Sequence, residues 1–235
     1  SVQMNSSYLD AGATAMDNRG GNITLSIITV NPVNTSVLGS YTVTYNVSDA
    51  AGNAATQVTR TVNVVDNTIP TVTPSPLAGI YNSTQNITLV PSNPSIIYYT
   101  TNGTTPTTSS HVFNIPIPIN TNSTVKFFAK TLTGNSGLVT SVSYIIDTIS
   151  PVITLNGNAH VSVDIGSSYV DAGAVANDNV DGNLTSSIVT VNPVNTSILG
   201  SYAVKYNVLD AAGNAGVASR TVEVIDQVPP VITLR

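Results

Sequence analysis

Residues 1–66 and 162–226 are two copies of one sequence, aligned with a single one-residue gap. Tyr8-Leu9-Asp10-Ala11-Gly12-Ala13 recurs as Tyr169-Val170-Asp171-Ala172-Gly173-Ala174. Residues 30–36 return unchanged as 191–197, and Asp49-Ala50-Ala51-Gly52-Asn53-Ala54 returns at 210–215. A duplication of this kind argues against one large domain and for small units, each with its own core. Within each copy the hydrophobic period is two. Tyr41, Val43, Tyr45 and Val47 alternate with Thr42, Thr44, Asn46 and Ser48, the pattern of a strand with one apolar face. Gly20-Gly21-Asn22, Asn31-Pro32, Leu38-Gly39-Ser40 and Ala51-Gly52-Asn53 punctuate the strands. Short strands at this spacing predict a β-sandwich.

The copies differ at their ends. Pro151-Val152-Ile153-Thr154-Leu155 opens the second copy, whereas Ser1 of the first matches Ser162, a point already past that strand. The motif then returns as Pro230-Val231-Ile232-Thr233-Leu234-Arg235. The expectation is a first domain without its first strand and an orphan strand that belongs to a following domain. Either the strand is donated between subunits, or the chain is one period of a longer repeat. Val231, Ile232, Thr233, Leu234 and Arg235 form the expected donated strand, and Ser1, Val2, Gln3 and Met4 the expected acceptor edge.

The middle of the chain has the same texture but another sequence. Val125, Phe127 and Ala129 alternate with Lys126, Phe128 and Lys130, and 95–101 reads as a strand ending at Asn102-Gly103, a pair suited to a tight hairpin turn. Asp66, Asp147 and Asp226 each stand four residues before a proline that opens a new strand. These junctions set domains at 1–69, 70–150 and 151–229, with the orphan strand at 230–235. So short a spacing, with proline fixing its own φ, predicts a stiff rod.

Composition narrows the function. There is no cysteine, hence no disulfide or thiolate metal site. The net charge of −5 offers no basic stripe for nucleic acid. No apolar run is long enough to insert directly into a membrane. The two histidines, His111 and His160, fall in different expected domains, and no nucleophile, metalloprotease or phosphate-loop motif occurs. No catalytic residue and no cofactor is expected, so the chain does not read as an enzyme.

The outer copies resemble the bacterial and archaeal Ig-like surface domains related to the hyalin-repeat group. The resemblance rests on 151–155, 169–174, Asp178-Asn179-Val180-Asp181-Gly182-Asn183 and Asp210-Ala211-Ala212-Gly213-Asn214. The middle segment is similar to the Ig-like module at the C-terminus of chitobiases and β-hexosaminidases, on Gly79-Ile80-Tyr81 and 97–106, with Asn102 where that family usually has aspartate. Both resemblances imply Ig-like β-sandwich spacers of secreted or surface-attached proteins, and neither implies catalysis. The expected fold is therefore all-β: three tandem Ig-like β-sandwiches, the first incomplete.

Three kinds of site remain. Asp178, Asp181 and Asn183 lie close together with Asp171 as a further oxygen ligand, a candidate calcium set whose alternative is a turn capped by its own aspartates. The junction aspartates are candidates for interdomain ions. Ten Asn-x-Ser/Thr sequons, at Asn5, Asn22, Asn34, Asn46, Asn82, Asn86, Asn102, Asn122, Asn183 and Asn195, are candidate glycosylation sites. Phe128 and the tyrosines near it are a candidate carbohydrate-stacking patch, with core packing as the alternative. Arg60 and Arg220, on the inward parity of their strands, are expected to pair with an aspartate. The functional expectation is a structural subunit of an extracellular prokaryotic filament or surface layer that partners itself head to tail. The alternatives are a stalk segment of a tandem-repeat adhesin and an accessory region of a secreted glycoside hydrolase.

Overall fold

A computed structural model describes residues 1–234; Arg235, the last residue of the expected donated strand, lies outside them. Apart from two single 3-10 turns, Thr24–Ser26 and Thr185–Ser187, every regular element is a β-strand. The chain adopts the all-β, Ig-like sandwich class expected from its period of two.

Two compact units emerge from the packing. One comprises Ser1–Thr71, Ser92–Ile96 and Ala129–Leu138; the other comprises Val72–Pro91, Ile97–Phe128 and the chain from Val139 onward.

In the first unit, Gly39–Asn46 and Val58–Val65 form the central antiparallel pair, running from Gly39 opposite Val64 to Tyr45 opposite Val58. Ile28–Val30 flanks one side, and Val2–Gln3 lies parallel to Val64 and Val65 on the other. The alternating residues Val43, Tyr45 and Val62 turn inward as the core, with Val2, Tyr8, Ala13, Ile27 and Val33 packed against them.

The second copy, in the other unit, repeats this plan. Gly200–Leu209 pairs with Ala215–Ile225, flanked by Val189–Val191 and the parallel His160–Asp164. Its hairpin continues to Leu209 opposite Ala215, whereas the first copy stops at Tyr45 opposite Val58. The extra residue that the first copy carries between Ala54 and Arg60 breaks the register there, as an inserted residue does in any antiparallel pair. A separate small sheet pairs Val152–Leu155 with Ala174–Asp178, Ile153 facing Ala176 and Leu155 facing Ala174. This lays Ile153 and Leu155 on the core of Val204, Tyr206 and Val222.

The same unit also holds the three-stranded sheet of Ile117–Ile119, Gln85–Pro91 and Val72–Ser75. Ile87, Leu89, Ile117, Ile119, Val125 and Phe127 are buried. Asn102-Gly103 does not close a two-residue hairpin. Ser95–Thr100 instead reaches its antiparallel partner His111–Val112 through the loop 101–110. The Asn102 side chain accepts from Thr104 N and Oγ1, and Thr100 Oγ1 donates to Thr104 O, so local bonds turn the chain into a wider loop. Gly103 does take the positive φ (76°) that the pair suggested.

Candidate functional site

Each copy is built around one aspartate. In the second copy, Tyr206 and Tyr169 donate their hydroxyls to Asp171 at 2.7 and 2.9 Å, Gly173 N donates at 3.2 Å, and Arg220 Nη1 completes the ion pair. The Arg220 guanidinium also donates from Nε to Asn158 O at 3.0 Å and from Nη2 to Asn156 O. The residue is only 2% exposed, a buried cation that its ion pair and carbonyl bonds make tolerable. In the first copy Tyr45, Tyr8 and Gly12 N donate to Asp10 at 2.6, 2.9 and 3.0 Å, and Arg60 Nη1 pairs with it. The expected inward arginine–aspartate pairs are thus Arg60–Asp10 and Arg220–Asp171. Asp10 is held down at about 2 by the hydrogen bond from Tyr45, against the opposing effect of its burial. Burial and the same bond push Tyr45 up to about 12. Burial opposes the charge on Asp171, and the bonds from Tyr206, Tyr169 and Arg220 outweigh it, so its carboxyl also sits below the usual range.

The two networks differ where the strand 152–155 and the turn after it meet the arginine. Among the described residues Arg60 has no counterpart of Asn156 O or Asn158 O, and its side chain is 37% exposed. The segment matching Ala174–Asp178 forms a strand only at Met16–Asp17, paired with Gly21–Asn22. Along it runs a groove of about 400 Å³ lined by residues that include Ala13, Ala15, Met16, Tyr45, Val47 and Ala55. Val47 is half-buried where Val208 is 3% exposed, and Ala15 is half-buried where Ala176 is fully buried. In the expected acceptor edge, Ser1, Val2, Gln3 and Met4, Val2 and Gln3 pair in parallel with Val64 and Val65, and Met4 N donates to Val65 O at 2.8 Å. Val231, Ile232 and Leu234 are 89%, 91% and 92% exposed.

The junction aspartates fall into different settings. Asp66 is satisfied by neutral donors: Thr133 Oγ1 (2.7 Å) at one oxygen, Thr68 N (3.0 Å) and Gln3 Nε2 (3.2 Å) at the other. These bonds, Thr133 first, depress its carboxyl strongly. Asp226 is exposed and accepts from Val228 N at 3.0 Å. Asp147 is 2% exposed and stands in a ring with Asp178, Asp181 and Asp210, whose ligand oxygens lie within 4.8 Å of one another. Of the four expected calcium ligands the structure brings Asp178 and Asp181 together, while Asn183 Oδ1 accepts from Thr185 N at 2.9 Å. The structure removes Asp171, which belongs to the Arg220 network.

The model of the bacterial surface protein Ig-like domain matches residues 1–64 and 153–224, more than half of the chain. The chain belongs to the bacterial surface Ig-like domain family. Between those matches, residues 76–141 of this surface Ig-like chain match the chitobiase/beta-hexosaminidase C-terminal domain. No curated protein matches it. Among solved structures, a lipoprotein from Bacteroides thetaiotaomicron is 24% identical over 34% of this chain and 40% of its own, with a TM-score of 0.31. The surface Ig-like chain thus spans less than half of that relative. Fibronectin(III)-like modules of Clostridium thermocellum CbhA are 16% identical over 70% of this chain and 100% of theirs, with a TM-score of 0.38.

The remaining predicted residues of the surface Ig-like chain sort by exposure. Nine sequon asparagines are exposed, while Asn46 is half-buried and accepts from Gln57 Nε2 at 2.9 Å. Asn22, Asn34, Asn102, Asn183 and Asn195 each accept, through Oδ1, the backbone N–H two residues on. A glycan attaches at Nδ2, so these turn bonds leave the modification site free. Phe128 is 8% exposed and stacks on Tyr98 at 5.3 Å, the core-packing alternative for that ring. No helix among the described residues is long and apolar enough to cross a membrane.

Proposed function

We propose that this chain is a non-catalytic structural module of an extracellular surface, and that the groove of its first copy takes a strand of the Pro-Val-Ile-Thr-Leu type from a second copy's residues 230–234. The observation that carries the reading is the contrast between the two cores. Ile153 and Leu155 pack on Val204, Tyr206 and Val222, whereas in the first copy Tyr45, one of the core trio with Val43 and Val62, lines an open groove. By the repeat, Val231 pairs with Met16, Ile232 with Ala15, Thr233 with Thr14 and Leu234 with Ala13, as 152–155 pair with 174–177. The acceptor is then residues 13–16 rather than 1–4. Burying Ile232 and Leu234 contributes about 1.5–3 kcal/mol each. The ladder hydrogen bonds add about 1 kcal/mol apiece, less the cost of ordering the tail. Strand addition to an open edge is a recurrent mode of association.

A second reading, an accessory region beside a catalytic domain or a stalk segment, is favoured by the chitobiase-like middle segment. In it the groove is filled by backbone continuous with the chain. Boiling assembled material in detergent separates the two: donated strands release single 24.3-kDa subunits, whereas a continuous backbone leaves very large species. Ile232→Asp combined with Leu234→Asp is expected to leave the subunit folded and unassembled. Assembly by that double variant with wild-type contacts overturns the strand-exchange reading.

A further inference from the structure

We propose that Asp147, Asp178, Asp181 and Asp210 bind one Ca²⁺ that ties the segment entering the second copy to two of its loops. The four carboxylates come from three separate stretches, 147, 178–181 and 210, and offer oxygens within 4.8 Å of one another. Oxygens no farther apart than that can share one Ca²⁺, whose ligands stand about 2.4 Å from it. Proximity of acidic groups alone would say little. What points to a ligand is the bonding of the buried member. Asp147 is 2% exposed; its Oδ1 accepts from Ile149 N at 3.1 Å, while its Oδ2 is fully buried with no partner among the described residues. Asp178 has the same arrangement, Oδ1 bonded to Val180 N and Asp181 N and Oδ2 buried without a partner. Among the described residues the only ion pairs of the chain are Arg60–Asp10 and Arg220–Asp171, so no lysine or arginine neutralises the ring. Four carboxylates, two of them buried, repel one another unless a cation or protons intervene.

The rest of each carboxylate is committed to holding its loop. Asp181 Oδ2 accepts from Ala211 N at 2.8 Å, and Asp210 accepts from Asn214 N at 2.7 Å and Asn214 Nδ2 at 2.8 Å. Asn214 Nδ2 also donates to Asp147 O at 2.9 Å, which anchors the entering segment in place. The donors are all hard oxygens with neither imidazole nor thiolate, which disfavours Zn²⁺. Mg²⁺ keeps most of its water and is usually bound through one or two carboxylates, so a four-carboxylate ring fits Ca²⁺ better. The first copy keeps the asparagine cap of Asp210 at Asp49 and differs at the loop facing it. Gly20 stands at the Asp181 position, Arg19 replaces Val180, and Asp49 is satisfied by Ala51 N, Asn53 N and Asn53 Nδ2.

The test is calorimetric titration of the full chain, stripped with EDTA, with Ca²⁺ taken past the 10⁻⁴–10⁻³ M range of extracellular calcium modules. The thermal unfolding temperature is followed in parallel. The expected result is one site per chain and a rise of several degrees with Ca²⁺, larger than with Mg²⁺. Asp147→Asn and Asp178→Asn remove both effects, and Asp49→Asn keeps them. The wild-type measurements need no variant to fold. No heat and no thermal shift with wild type overturns the proposal, as does a shift that survives both Asp147→Asn and Asp178→Asn. A stripped chain that acid alone stabilises, indifferent to Ca²⁺, means that protons fill the ring and overturns it as well.

Discussion

Asp10 and Asp171 show how a single aspartate can be the centre of each copy's hydrogen-bond network. Each accepts from two tyrosines, a glycine amide and an arginine, and each bond favours the ionised carboxylate. The pH dependence follows in sign. With Asp10 near 2 in the folded chain and about 3.9 unfolded, the unfolded chain protonates first as pH falls. The stability from Asp10 is therefore complete above about pH 4 and lost toward about pH 2. Tyr45 works from the other side: its hydroxyl, raised to about 12, contributes stability that is full below about pH 10 and lost as pH climbs toward 12. Urea midpoints across pH should show a shallower acid limb for Asp10→Asn and a weaker alkaline limb for Tyr45→Phe. An acid limb unchanged in Asp10→Asn assigns the acid sensitivity to other carboxylates, such as Asp66. The inward parity of Arg60 and Arg220 was legible in the sequence. Their partners were not singled out, because Asp10 and Asp171 lie some fifty residues away and their loops resemble any capped turn.

At the level of strands, alternation was a faithful guide and turn chemistry a partial one. Tyr41 to Val47 predicted the core face of the central hairpin because burial on one side of a pleated strand enforces a period of two. Asn102-Gly103 misled, because a dipeptide supplies the backbone angles of a tight turn without deciding where the next strand pairs. The close approach of strand and linker is another matter of geometry rather than pattern. A methyl group on Gly216 would run into the carbonyl oxygen of Pro151, which cannot move without moving its strand. Gly216→Ala is expected to cost about 1–3 kcal/mol in chemical denaturation, as other overpacked sites do. The first copy has Ala55 at the matching place. A tail docked in the same register would meet that methyl at Pro230, so Ala55→Gly should lower the concentration at which copies assemble. An unchanged threshold would mean that the tail enters the groove by a different path.

The whole molecule was harder to read than its parts. The duplication and the family of the outer copies were visible in the sequence, and so was the strand motif at 230–234. The acidic ring was half visible. Asp178 and Asp181 are near neighbours, but Asp147 and Asp210 join them only through the fold; the one hint was the aspartate set four residues before the proline of each of the three junctions. A surface of exposed asparagines with few charges is the other property of the whole chain. Nine exposed sequons lead us to expect that native material has an intact mass above the 24.3 kDa of the bare chain, with Asn46 the least modified. A native mass equal to the polypeptide removes glycosylation from the account.

The contrast between an open groove at one end of the sequence and an exposed apolar strand at the other has a further consequence. Joined as proposed, every contact uses one of each, a head-to-tail contact that extends into an open row wherever its rotation does not close a ring. A row of such molecules has two chemically unlike ends. One always offers a groove and the other always a tail, so growth at the two can be controlled separately. A short peptide with the sequence of 230–235 fills the groove without supplying another and arrests one end. A copy deprived of its tail arrests the opposite one. Length and direction would then be set by whichever terminator the cell supplies, with no change to the subunit itself.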